Sequence, residues 1–382
     1  MGIVVTAPWC LAPAIAARAP RLDCHVGNHM VRRAGIGALL AILGLAGQPQ
    51  AAAASGSRLV LYDHVRLGLA AAEIADPGRL VVGPHHAWPD ELPAGVLSVV
   101  ATPAGLYFHW SKGGRGLGRT VRIGADARLL VSEQSPGCDL PRPSLVALGS
   151  NLICHSADGS AEVARLDDHD GSYVREFRAP RGTLPGYSHL VTTGSYLLLY
   201  HAASGALAIG QISRDADEEH IEVIDAGVTD AGYVTLVSSH DRVLLHDPRS
   251  GRYEAARVGI VATGRPGRPD RRLEGRYQRT AQGVLGTGLR LAVTLDDVVL
   301  LHDRDGRYLV GRYTADDRFD VQDQGRATPG FDRIARAGAY LFLLAGDGSG
   351  QAAIGSISPA GRFREVGSMD AGRYDRVVAA DG

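Results

Sequence analysis

Apolar and polar positions along residues 188–212, SHLVTTGSYLLLYHAASGALAIGQI, fall into three short runs separated by turns that carry Gly and Ser. Runs of this length with turn residues between them predict strand, turn, strand, turn, strand. The same design recurs down the chain. Aligned on the end of the second strand, its copies place Tyr62 in LVLYD, His109 in LYFHW, His155 in LICHS, His201 in LLYHA, His246 in LLHDP, His302 in LLHDR and Leu344 in FLLAG. The intervals are 47, 46, 46, 45, 56 and 42 residues. A repeat of this size made of short strands predicts an all-β chain, a seven-bladed β-propeller of four-stranded blades.

The two ends of the chain belong together. The seventh repeat begins Asp332-Arg333-Ile334-Ala335-Arg336, and the C-terminus reads Asp375-Arg376-Val377-Val378-Ala379. Written ahead of Arg58-Leu59-Val60-Leu61-Tyr62, the C-terminal stretch completes a repeat of the same length and pattern. It is therefore expected to supply the first strand of the N-terminal blade, which removes the open sheet edge of an unclosed ring.

Residues 1–54 lie outside the repeats. Met30-Val31-Arg32-Arg33, an apolar run over 34–47 and the small residues Ala51–Ala54 form a basic, apolar and A-x-A series. This series reads as an export signal that begins at Met30 and is cleaved before Ser55. The apolar run is short for a bilayer span. The expectation is a single propeller domain over 55–382, secreted or periplasmic, with no membrane attachment after cleavage. Formal charge is −1 and charged residues make up 21 % of the chain, so no overall field favours nucleic acid. A monomer is expected.

Candidate chemistry is sparse and repeated. His109, His155, His201, His246 and His302, with Tyr62, occupy one repeat position, and their rings either circle the axis as ligand contacts or pack at strand ends. A second position, in the third strand, holds Arg122, Arg165, Arg257 and Arg312. These arginines either bind anionic groups or pair with nearby carboxylates. Trp88, beside His85 and His86, is either a sugar-stacking corner or a plug between blades. The longest interval contains Gly264-Arg265-Pro266-Gly267-Arg268-Pro269-Asp270-Arg271-Arg272, a basic insertion whose Arg268 and Arg271 are candidate anion contacts. Cys138 and Cys154 are the cysteines left after signal removal, and a disulfide and two buried thiols are both open. No nucleotide, zinc-protease or serine-hydrolase motif is present, and neither a cofactor nor a metal is expected.

The phrase LLLYHAASGALAIGQI and its copies LLHDPRSGRYEAARV, LLHDRDGRYLVGRY and LLAGDGSGQAAIGSI resemble the repeats of secreted bacterial β-propellers described as tachylectin-like. The resemblance implies sugar pockets between blades. The function expected from it is a non-enzymatic, lectin-like binding propeller for a glycan or another extracellular polymer. Two alternatives stand beside it. One is a secreted hydrolase or lyase with a single axial pocket lined by His and Arg, the other a scaffold for a protein partner.

Overall fold

The computed structural model describes residues 57–382 except 64–67, 76–78, 89–97, 125, 127, 142, 168, 180–183, 185, 216–217, 264–271, 373 and 381–382. The expected signal segment, its Met30 start and its cleavage point lie outside the described residues. So do Arg268 and Arg271.

Seven antiparallel sheets follow one another along the chain, each running first, second, third, fourth strand from one edge to the other. Blade three is representative, with strands Ser144–Leu148, Asn151–His155, Ala161–Leu166 and Tyr173–Ala179. First strands of successive blades run side by side around the ring, which makes them the innermost strands. The propeller expectation holds, with seven blades.

Closure occurs as the sequence implies. Arg376–Ala379 is the innermost strand of blade one and pairs antiparallel with Ser57–Asp63, Leu59 opposite Ala379 and Tyr62 opposite Arg376. It lies between the innermost strands of blade seven, Arg333–Ala337, and blade two, Ser98–Thr102. The last strand of the chain is therefore flanked on both sides, and the ring has no gap at the junction of its ends.

Packing explains why the second strands read as unbroken apolar runs. Each sheet is covered on both faces by neighbouring blades, so both side-chain sets of a central strand must be apolar. Leu152, Ile153 and Cys154 are all 0 % exposed. Leu152 and Cys154 pack toward blade two, and Ile153 packs toward blade four. Among the described residues each gap between consecutive blades holds its own apolar cluster; that between blades seven and one joins Ala335, Phe342 and Ile354 to Leu59, Leu61 and Val377.

The third strands of blades three to seven share a bulge against the fourth strand, for example at Val310/Gly311 and Ile354/Gly355. At Gly311 a Cβ would stand 2.1 Å from Phe319, and at Gly355 it would stand 2.4 Å from Phe363. Glycine leaves room there for an aromatic ring of the outer strand to lie across the sheet.

The long interval of blade five is a lengthened outer hairpin, Arg252–Thr263 with Arg272–Val284, in which Thr263 pairs with Arg272. Blade four lengthens the same hairpin, Ala206–Asp215 with Glu218–Val228. Cys138 and Cys154 are both buried, and no bond joins them in this structure.

Because the closing strand completes the core between blades seven and one, removal of residues 373–382 is expected to expose both partner edges. The truncated chain should melt at a lower temperature and self-associate, as read by calorimetry and light scattering. A monomer with an unchanged melting point would refute this role of the strand.

Candidate functional site

In each blade the end of the second strand pairs with the start of the innermost strand, so both lie on one face of the ring. His109 sits opposite Ser98, His155 opposite Ser144, His246 opposite Thr235 and His302 opposite Leu291. In blade four the residue at this position is Tyr200, opposite His189. The alignment of His201 with the other histidines is corrected by one residue. His201 instead begins the following turn, its amide bonded to the Ala206 carbonyl and its Nδ1 paired with Ser204 Oγ at 2.6 Å.

These side chains are inside the protein. His109, His246 and His302 are 0 % exposed and His155 is 3 % exposed. His109 Nε2 meets the Cys138 carbonyl at 2.9 Å, His155 Nε2 the Leu184 carbonyl at 3.4 Å and His246 Nε2 the Gly286 carbonyl at 3.0 Å. Each acceptor lies in the segment that leaves the blade for the next one. Tyr200 makes the equivalent contact, its Oη donating to the Asp230 carbonyl at 2.7 Å. The repeated residue is thus a pin between a strand end and the crossover loop, and these four imidazoles do not line an axial pocket. Burial holds the histidine pKa values below the ordinary imidazole value. His302 differs in that neither ring nitrogen has a hydrogen bond.

The third-strand arginines occupy the opposite face, where they pair with the first residues of the second strands, as Arg165 does with Asn151 and Arg257 with Arg242. They are engaged there. Arg122 Nε donates to the Ala104 carbonyl, Arg165 Nε to Glu176 and Arg257 Nε to Asp241 at 2.6 Å. Arg257 also reaches Asp317 of blade six at 3.3 Å, and Arg312 Nε lies 3.6 Å from Asp297. The described end of the lengthened outer hairpin, Thr263 opposite Arg272, lies beyond Val258 and Tyr277 and is remote from His246. The repeated histidines and the repeated third-strand arginines therefore lie on opposite faces of the ring.

Trp88 is 6 % exposed and plugs the gap between blades one and two, 5.3 Å from Phe108 and 6.2 Å from Trp110 between ring centres. The Arg119 guanidinium lies 5.8 Å from its ring. Tyr62 is buried against Phe108, ring centres 5.8 Å apart.

On the histidine side the axial mouth is bordered by the first residues of the innermost strands, in ring order Arg376, Ser98, Ser144, His189, Thr235, Leu291 and Arg333. The two arginines come from adjacent strands. Arg333 Nη1 donates to the Asp332 carbonyl at 2.7 Å, while its Nε is buried without a hydrogen-bond partner. Arg376 Nη1 is likewise unpartnered, and its Nε stands 4.0 Å from Asp375. Across the ring His189 Nδ1 meets Ser188 Oγ at 2.9 Å, and the imidazole also bonds to the Val234 backbone. Burial, with His201 nearby, lowers the pKa of His189, so its ring is neutral at pH 7. The mouth therefore combines cationic donors, a hydroxyl and a neutral imidazole. Its residues interrupt the apolar pattern only once per blade, yet one signal was visible: the pair Asp-Arg opens both blade seven and the closing strand.

No protein-family model matches the chain, and no curated protein matches it. Solved structures do. A periplasmic gluconolactonase from Pseudomonas aeruginosa superimposes with a TM-score of 0.60 at 14 % identity, over 84 % of this chain and 98 % of its own. Candidate 6-phosphogluconolactonases from Bacteroides fragilis and Bacteroides uniformis give TM-scores of 0.61 and 0.62 at 13 % and 12 % identity. Each covers 84 % of this chain, and 97 % and 98 % of its own length respectively. At this identity the likeness is one of fold. These neighbours are described as lactonases, not lectins, which overturns the expectation of a non-enzymatic lectin-like propeller.

The pins yield two expected outcomes. Tyr200→Phe removes the bond to the Asp230 carbonyl and the one accepted from the Tyr233 amide and should lower stability by about 1–3 kcal/mol, whereas His246→Ala leaves the Gly286 carbonyl unpaired beside a cavity and should cost about 2–4 kcal/mol in urea unfolding. The histidines are depressed in the folded state, so their contribution is complete above the unfolded value of about 6.5 and is lost as pH falls through the lower folded values. The urea midpoint should therefore drop between pH 7.5 and pH 5, and less steeply in His302→Phe; a flat profile in the parent protein would refute the sign.

Proposed function

We propose that this protein is a hydrolase of the lactonase type that acts at the axial mouth where the innermost strands begin. The observation that carries the reading is the pair Arg333 and Arg376, set on adjacent strands with buried guanidinium nitrogens that no protein acceptor satisfies. Solved lactonase-type propellers of the same architecture support it.

Opening a lactone requires water to attack the ester carbonyl, with negative charge building on the carbonyl oxygen. Guanidinium donors already in place stabilise that charge without reorganisation. A neutral imidazole is a suitable proton acceptor for the attacking water, and His189 is held in position by Ser188 and Val234. The product carboxylate would then rest against the arginines. Export to the periplasm or beyond accords with the basic, apolar and small-residue series at 30–54. No helix among the described residues is long and apolar enough to cross a membrane.

The test is hydrolysis of gluconolactone and 6-phosphogluconolactone, followed by pH-stat and corrected for spontaneous opening. Turnover above background is expected, with Arg333→Met and Arg376→Met each lowering kcat/KM on the order of 100-fold while the melting temperature stays close to that of the parent. No turnover of either lactone would sink the reading.

A further inference from the structure

Two sulfur atoms meet in the gap between blades two and three, away from the axial mouth. Cys138 lies in the segment that carries the chain from blade two into blade three, and Cys154 lies on the second strand of blade three, opposite Leu145. They are 1 % and 0 % exposed. Both side chains belong to one buried cluster, and the Cys154 thiol contacts Tyr173 Oη at 3.7 Å. The walls are Tyr107, Leu152, Ala164 and Tyr173, with the Tyr107 and Tyr173 rings stacked 5.8 Å apart.

Both chain segments are fixed in place. His109 holds the Cys138 carbonyl at 2.9 Å, and a Cβ on Gly116 would stand 1.8 Å from that same oxygen, so this backbone cannot drift toward blade two. Cys154 is locked in the ladder of a central strand. Two thiols that share one buried cluster need only close to a bond of about 2 Å to form a cystine. Buried thiols are weak donors in an apolar wall, and the disulfide removes both while leaving sulfur to face the unpartnered Tyr107 hydroxyl nearby.

We infer that Cys138 and Cys154 are a cystine site, closed by disulfide exchange in an oxidising compartment, which staples the crossover into blade three to that blade's second strand. In the exchange each thiol gives up its proton and the sulfurs become joined. The two electrons and two protons go to an oxidised partner, the disulfide of glutathione or of a thiol oxidoreductase, which leaves as two thiols. Burial raises the Cys154 thiol pKa well above its ordinary value, so thiolate is scarce once the ring is folded. The bond is therefore made while the chain folds, and afterwards it resists reductants that do not unfold the protein.

Peptide mapping tests this in the full chain, because the tryptic peptide 129–165 holds both residues and no other cysteine. The protein is refolded with oxidised glutathione, unfolded again and treated with iodoacetamide before digestion. The expected peptide is two hydrogens lighter than its reduced form and unalkylated, and it takes two alkyl groups only after reduction. Closing a loop of this size should raise the melting temperature by about 3–6 °C over protein reduced in urea and refolded with reductant present. A Cys138→Ser, Cys154→Ser variant should show no such difference. Two alkyl groups without prior reduction would overturn the inference, and that result needs only the parent protein, whatever the variant does.

Discussion

A blade of this protein cannot bury its own apolar side chains. Its second strand is apolar toward both neighbours, so Leu152 and Cys154 are covered only by blade two and Ile153 only by blade four. Every sheet thus depends on the next, and the dependence has to run full circle. The four residues Arg376–Ala379 complete that circle between blades seven and two. Without them two sheets would present edges and apolar faces to water.

The pins refine this arrangement. A flat four-stranded sheet buries area but leaves the crossover to the next blade unspecified. His109, His155, Tyr200 and His246 each tie a strand end to a carbonyl in the segment leaving their blade. Imidazole and phenol serve equally because the position demands a donor at the tip of a rigid, mostly apolar side chain. His302 occupies the same place without either nitrogen bonded, so blade six leaves for blade seven by a different arrangement. There Thr328 donates through its amide and its hydroxyl to Glu365.

The two faces of the ring divide the charged groups. On the face of the first turns, arginines are tied to carboxylates, as Arg257 is to Asp241 and Asp317. On the face of the pins, Arg333 lies 3.5 Å from the Asp332 carboxylate and Arg376 4.0 Å from that of Asp375, yet each retains one buried guanidinium nitrogen without a hydrogen bond. A guanidinium nitrogen that already has an acceptor is a poor donor to a ligand, and a buried one without an acceptor is a good one.

The blade count, the strand order within a blade and the closure of the ring were all legible in the sequence, because each rests on local alternation and on a repeat interval that covalent connectivity enforces. Asp-Arg before Ile334 and before Val377 marked equivalent strands hundreds of residues from their sheet partners. What the sequence left open was the direction in which a repeated side chain points. A shift of one residue separates Tyr200 from His201, and only strand pairing decides which is buried. Repeated histidines and repeated arginines looked alike as candidates, yet the histidines end the second strand while the third-strand arginines stand beside its start, on the opposite face. Tertiary structure decides this, because a side chain's exposure and partners depend on the neighbouring blades, which no interval within one repeat describes.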